Sequence, residues 1–267
     1  MNADVLAESS DLVLGYDRTV AVRPSSFTIP HRQVTAIIGP NGSGKSTLLN
    51  ALAGVIEPLS GSLQVLGGRP GGRRAGVAYV MQSLAFPKGT PITVREAVGM
   101  GLYPTLGLFG RRSASDRERV DRAMERLRVT DLARRHLDEL SGGQRQRVYV
   151  AQGLAQHHEA ILLDEPLTGL DIVSARTIDE IIHSERDRGH AVVLTTHDLA
   201  EARAADWVIL MNGHVLAAGP PAEVLTRANL EAAYGLGSLH TPDAVFIDDP
   251  HDPEDHAHEH SRHQHPH

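Results

Sequence analysis

The stretch Gly39-Pro40-Asn41-Gly42-Ser43-Gly44-Lys45-Ser46 gathers glycines, a lysine and a hydroxyl at a spacing suited to phosphate. Glycines let successive backbone N–H groups turn inward around an anion, Lys45 reaches the terminal phosphates, and Ser46 supplies a ligand to Mg²⁺. The apolar run Val34 to Ile38 precedes the loop and the helical pattern Leu48, Leu49, Leu52 follows it. That order is strand, loop, helix, and it sets the anion at the positive end of a helix dipole. The chain has 24 Arg and only 2 Lys, so Lys45 departs from its habit. A slender ammonium fits a tight phosphate cradle where a planar guanidinium does not. Beginning 95 residues after Lys45, Leu140-Ser141-Gly142-Gly143-Gln144 forms a second glycine-rich loop that opens a helix and offers a second set of N–H donors.

A continuous apolar run, Ala160-Ile161-Leu162-Leu163, reads as a strand buried in a parallel sheet and ends in Asp164-Glu165-Pro166. Ligands of an open α/β sheet sit beyond the carboxyl ends of its strands, where Asp164 can approach Mg²⁺ and Glu165 can face an attacking water. A further strand, Ala191 to Leu194, runs into Thr195-Thr196-His197-Asp198 and places an imidazole at the same edge, within reach of a γ-phosphate.

With these motifs in this order, residues 7 to 235 resemble the ATP-binding cassette subunit of an ABC transporter. The resemblance implies an α/β fold: a P-loop NTPase core with an N-terminal antiparallel β region and a helical subdomain carrying the signature motif. It implies an ATPase domain over 7–240, with the helical subdomain at about 84–158. By family position Tyr16 stacks on adenine, Gly39 to Thr47 form the Walker A loop, and Gln82 is the Q-loop glutamine that touches Mg²⁺ and faces the membrane subunit. Leu140 to Gln144 match the signature, Asp164 the Walker B aspartate, Glu165 the catalytic glutamate, Leu170-Asp171 the D-loop, and His197 the switch histidine. Thr47, like Ser46, closes the Walker A match. The family further implies ATP and Mg²⁺, and a homodimer on ATP binding in which the partner's Ser141 loop closes over ATP held by the Lys45 loop. A separate integral-membrane permease and an extracytoplasmic metal-binding protein complete such a system, at the cytoplasmic face of the cell membrane.

Short strands are expected at Asp11 to Tyr16, Gly61 to Leu66 and Val77 to Val80. Between Gln82 and Ser141 the period becomes helical: Ser115 and Glu118 have capping-box spacing, and Val120, Ala123, Met124 and Leu127 share one face. Val148, Ala151, Leu154 and Ala155 give the signature helix its apolar face, and Ile178, Ile181 and Ile182 mark another core-facing helix. Trp207 to Met211, Asn212-Gly213 and Val215 to Ala218 read as a hairpin with a type I′ turn. The segment Phe86 to Arg112, with Leu102, Tyr103, Leu106, Leu108 and Phe109 as exposed apolar residues, is the expected contact with a membrane partner. Its Tyr103 to Phe109 portion resembles the zinc and manganese importer branch.

The 267 residues are 41% hydrophobic and 22% charged, which suits a globular chain. The apolar runs fall far short of the roughly 18 residues of a membrane helix. Zero Cys excludes disulfides and thiolate metal sites. Nine Arg between Arg111 and Arg135 are interspersed with five acids, a solvated helix face and no nucleic-acid patch. Residues 241–267 read as a disordered, acidic, His-rich tail, and from Asp243 onward carry −6 of the formal −7. His256, His258, His260, His263, His265 and His267 alternate there and offer imidazoles to Zn²⁺. The expected function is the ATPase of a bacterial zinc importer, with manganese, iron or siderophore transport, or a non-transport cassette, as alternatives.

Overall fold

A computed structural model describes residues 4–235, apart from 18, 73–75, 83–90 and 107–112. In chain order the elements begin β1 (Val5–Tyr16), β2 (Thr19–Pro30), β3 (Val34–Ile38), α1 (Lys45–Leu52), β4 (Ser60–Val65) and β5 (Val77–Val80). A helical stretch follows: α2 (Val94–Met100), α3 (Tyr103–Leu106), α4 (Ala114–Arg126) and α5 (Gly142–Ala155). The chain then returns to β6 (Ala160–Leu163), α6 (Ile172–Asp187), β7 (Ala191–Thr196), α7 (Leu199–Ala204), β8 (Trp207–Met211), β9 (Val215–Gly219), α8 (Pro221–Val224) and α9 (Arg227–Tyr234).

Two sheets result. β2, β1 and β4 pair antiparallel in that order, and β5-β6-β7-β3-β8-β9 form a second sheet that is parallel except for β9. Because both of their faces are covered, β6 and β8 are continuous apolar runs, while Thr35 interrupts β3 and Thr195-Thr196 end β7. Alternation then divides each run between two cores. Ala36, Ile161, Val192 and Leu210 pack with the helical residues Val120, Met124, Val148 and Ile178. Ile37, Leu162, Val193 and Ile209 pack with Leu48, Leu49 and Leu52 of α1 and with Leu12, Leu14 and Ile29 of the antiparallel sheet. Each such buried Leu or Ile contributes about 2 kcal/mol.

The expected apolar faces are buried: Val120, Ala123, Met124 and Leu127; Val148, Ala151, Leu154 and Ala155; Ile178, Ile181 and Ile182. Three expectations need correction. Helix α4 starts earlier than Ser115: Ser113 is its N-cap and exchanges hydrogen bonds with Asp116, leaving Ser115 inside the first turn. In the hairpin Met211 pairs with Val215, so the loop has three residues, and of Asn212-Gly213 only Gly213 has a positive φ, at 67°. A type I′ turn needs both residues left-handed; a register shift at Leu210/Met211 replaces it here. Leu102 is buried in the core rather than exposed, whereas Tyr103 is exposed. Leu108 and Phe109, and the tail histidines, lie outside the described residues.

A largely buried ion pair joins the helical stretch to α6. Arg126 of α4 sets Nη1 at 2.6 Å from Glu185 Oε1 on α6, and Nη2 donates to Ser184 Oγ at 2.8 Å. Burial alone would raise the Glu185 carboxyl, but hydrogen bonds from His158, His190 and Arg126 outweigh it and hold it well below the usual carboxylate range. Breaking a buried pair by removing one partner strands the other charge. Glu185→Gln is expected to lower unfolding stability at pH 7 by about 3 kcal/mol in urea titrations. Because the folded pKa is depressed, this advantage is present above the unfolded value near ~4.3 and declines as pH falls below it. The wild-type and Glu185→Gln stabilities should therefore converge in acid.

Candidate functional site

Strand order decides which residues meet. β7 lies between β6 and β3, so the residue leaving β6, the end of β7 and the loop leaving β3 sit side by side at the carboxyl edge. Asp164 Oδ1 accepts from Thr195 Oγ1 at 2.6 Å and from Ser46 Oγ at 3.1 Å, and so ties the three strand ends together. Thr195 Oγ1 also accepts from Glu165 N at 2.8 Å. Glu165 holds a left-handed φ of 46°, a conformation that costs a non-glycine residue about 1 kcal/mol or more and that this bond helps to hold. Gln82 Nε2, just beyond β5, donates to Glu165 Oε2 at 2.8 Å.

The loop Gly39–Ser46 is braced from beneath by the β8–β9 hairpin. Gly213 N donates to Ser43 O at 3.0 Å, and a Cβ on Gly39 would lie 2.1 Å from Met211 O. Gly42 differs: its φ is +79°, and a Cβ there would meet nothing within 4 Å. One glycine is thus demanded by packing and the other leaves a bare, open backbone. Lys45 Nζ folds over the loop, donating to Gly39 O at 2.8 Å and Pro40 O at 3.2 Å. Burial pushes its ammonium pKa down, while the Glu165 and Asp164 carboxylates push it back up. Ser43 Oγ is buried without a hydrogen-bond partner, an unmet polar group in the cradle. Thr47 is buried at the start of α1. Hydroxyl and carboxylate oxygens at Ser46 and Asp164 are the donors Mg²⁺ takes beside phosphate, so the residues fit that ion.

Tyr16 is 47% exposed at the end of β1. Its hydroxyl accepts from Asn50 Nδ2 at 2.9 Å, and Asn50 Oδ1 accepts from Tyr79 OH at 2.9 Å. Burial, then the Asp164 charge, pushes the Tyr79 phenol well above its ordinary value, which keeps it a donor. His197 is exposed just past β7, close enough to Glu201 for their charges to interact.

The signature loop stands apart from this cluster, against the start of α6. Ser141 caps α5: its Oγ accepts from Gln144 N at 3.2 Å, and Gln144 Oε1 accepts from Ser141 N at 3.1 Å. A Cβ on Gly143 would collide with Asp171 Oδ2 at 2.3 Å and Ser174 Oγ at 2.5 Å. Asp171 is itself the α6 cap, bonded to Ser174 N and Oγ, and those bonds hold its carboxyl below the usual range. Gly142 has open space where a side chain would be.

Sequence reasoning passed over Thr195, Asn50 and Tyr79. For Thr195 a signal existed: aligning β6 with β7 in register pairs Leu163 with Leu194, which sets Asp164 beside Thr195. Asn50 and Tyr79 meet Tyr16 only through tertiary packing, and no spacing announces them.

A family profile described as ABC transporter matches residues 22–168. Among curated relatives, the manganese transport system ATP-binding protein MntB of Listeria monocytogenes is 36% identical over 229 residues, spanning 85% of this chain and 95% of the relative. The chelated iron transport system protein YfeB of Yersinia pestis is 37% identical, spanning 80% of this chain and 74% of its own length. Among solved structures, a metal-chelate type ABC transporter in an inward-facing conformation superposes with a TM-score of 0.75 at 28% identity, covering 86% of this chain and 88% of that one. A dimeric ATP-binding cassette in a post-hydrolysis state with ADP and Pi gives 0.72 at 25%, covering 81% and 99%. With the α/β fold, the phosphate loop and the paired carboxylates already in place, these matches make the chain a member of the ABC transporter family, an ATP-binding subunit that hydrolyses ATP.

Proposed function

We propose that this chain is the ATPase of a divalent-metal importer, with manganese as the leading cargo and chelated iron as the second. The observation that supports the cargo is the near full-length match to a manganese transport ATPase, alongside one named for chelated iron. Zinc, expected from the tail and from the resemblance of Tyr103 to Phe109 to the zinc and manganese importer branch, is named for neither of these relatives, which are for manganese and chelated iron. The passage for metal belongs to a separate permease, with the chain at the membrane's cytoplasmic face; no described helix is long and apolar enough to cross a membrane. An extracytoplasmic metal-binding protein would deliver the ion.

Within the site, Lys45 and the backbone N–H groups of Gly39 to Thr47, Pro40 excepted, would hold the ATP phosphates, and Ser46, Asp164 and Gln82 would hold Mg²⁺. That ion supplies charge neutralisation to the phosphates. Glu165 polarises the water, Thr195 positions both carboxylates, His197 contacts the γ-phosphate, and Tyr16 stacks on adenine. Lys45 bonds Gly39 O and Pro40 O, and Gln82 bonds Glu165; in the ATP complex Lys45 would exchange its bonds for phosphate oxygens and Glu165 would give up Gln82 for water. Phosphoryl transfer asks the protein for position and charge stabilisation, which this arrangement provides. The partner's Ser141, with the open backbone at Gly142, closes over the nucleotide in a homodimer.

Metal uptake by cells carrying or lacking this chain tests the cargo. Loss confined to manganese, or to manganese and iron, is expected; loss of zinc alone would overturn the reading. Glu165→Gln should bind ATP normally yet hydrolyse it on the order of 10² to 10⁴-fold more slowly, and accumulate as an ATP-bound dimer on size exclusion. Normal turnover would remove Glu165 from its role. Ser141→Arg should keep ATP binding and lose that dimer, and full hydrolysis in this variant contradicts closure by the partner's loop.

A further inference from the structure

At the opposite, amino-terminal edge of the parallel sheet, three side chains converge without any part in the nucleotide site. His158 precedes β6, Glu185 lies in the last turn of α6, and His190 precedes β7. His158 Nε2 is 2.9 Å and His190 Nδ1 2.6 Å from the same oxygen, Glu185 Oε2, and the three donor atoms all lie within 4.8 Å of one another. We propose that His158, Glu185 and His190 bind a divalent first-row transition ion of the kind that takes imidazole, such as Zn²⁺ or Co²⁺.

The surroundings prepare each donor. His158 Nδ1 lies 2.8 Å from Gln156 O, and the tautomer that donates there turns the Nε2 lone pair toward Glu185 Oε2. In that tautomer two acceptors face each other at 2.9 Å, an arrangement that a proton or a metal ion between them relieves. Arg126 occupies the other carboxylate oxygen, Oε1, which fixes Glu185 as a single-oxygen donor through Oε2. His190 N donates to Glu185 O at 3.0 Å, holding the third residue near the second. The two imidazoles meet edge to face, 62° between planes, so their nitrogens converge on the carboxylate where stacked rings would not. His158 and Glu185 side chains are 5% and 1% exposed and thus rigid, while His190 at 32% provides the entrance. Three protein donors with one side open is the geometry of a site completed by solvent. His31 adds a neighbouring imidazole: its Nδ1 is buried without a hydrogen-bond partner, and the charges of Glu159 and His190 reach it.

The rival occupant is a proton, which would make the cluster an ion pair only. To separate the two, the full chain is prepared with His251, His256, His258, His260, His263, His265 and His267 each replaced by Asn, which removes the tail imidazoles. Titration with Co²⁺ should give one saturable equivalent with a visible d–d band, displaced by Zn²⁺. His190→Asn in the same background, chosen because it sits at the exposed edge, should weaken Co²⁺ at least about 10-fold with unchanged circular dichroism. His158→Gln should do the same. Absence of a saturable band, or equal affinity in His190→Asn, overturns the proposal and leaves a proton-held ion pair.

Discussion

The carboxylate of Asp164 is the point on which the nucleotide edge depends. One of its oxygens receives hydroxyls from α1 and β7, so the phosphate loop, the end of β6 and the end of β7 share a single acceptor. Charge-assisted hydrogen bonds of this kind are stronger than neutral ones, and burial of Asp164 keeps water from competing for them. Because Thr195 also holds Glu165 N, the same hydroxyl sets the left-handed backbone of the neighbouring carboxylate. One hydroxyl therefore holds both the Asp164 carboxylate and the Glu165 backbone. Losing Thr195 Oγ1 would release two groups of different chemistry at once.

That edge can be rigid because the sheet behind it is buried on both faces. Alternate residues of β3, β6, β7 and β8 enter different cores, one shared with the helical stretch and one with the antiparallel sheet and α1. A displacement of either layer is thus felt by the same strands whose ends carry the chemistry. Arg126 to Glu185 adds a polar tie on the helical side, at the end of the sheet away from the nucleotide. The chain consequently has a chemical edge and a polar, histidine-rich edge joined by four short apolar strands.

How much of this was legible depends on the range of the interaction. Val34 to Ile38 and Ala160 to Leu163 announced themselves because burial on both faces favours apolar runs, broken in the first only by Thr35. Lys45, Ser46, Asp164 and Glu165 were legible because their chemistry is local to a strand end. β2 was not, since Thr19 to Pro30 follows no strict alternation and acquires its strand through pairing with β1 across several register shifts. The three-residue hairpin loop escaped for a similar reason: Asn212-Gly213 suits a tight turn by itself, but Gly213 N donates to Ser43 O, which ties the hairpin tip to the phosphate loop. Leu102 looked exposed because a short apolar cluster carries no sign of which side will be covered.

The signature loop shows how one sequence pattern can hide two physical demands. Ser-Gly-Gly reads as a run of small residues for an anion, yet Gly143 is small because Asp171 and Ser174 stand where its Cβ would be. Of its two glycines only Gly142 faces open space, and Ser141 Oγ already accepts from Gln144 N in capping α5, which leaves its O–H to donate. The loop is therefore locked from within to the cap of α6, and presents outward a helix N-terminus with one bare glycine. A surface of that kind can approach a phosphate closely but supplies no lysine or carboxylate of its own. Those lie at the Asp164 edge, so the loop's chemistry has to be completed by groups it does not itself carry.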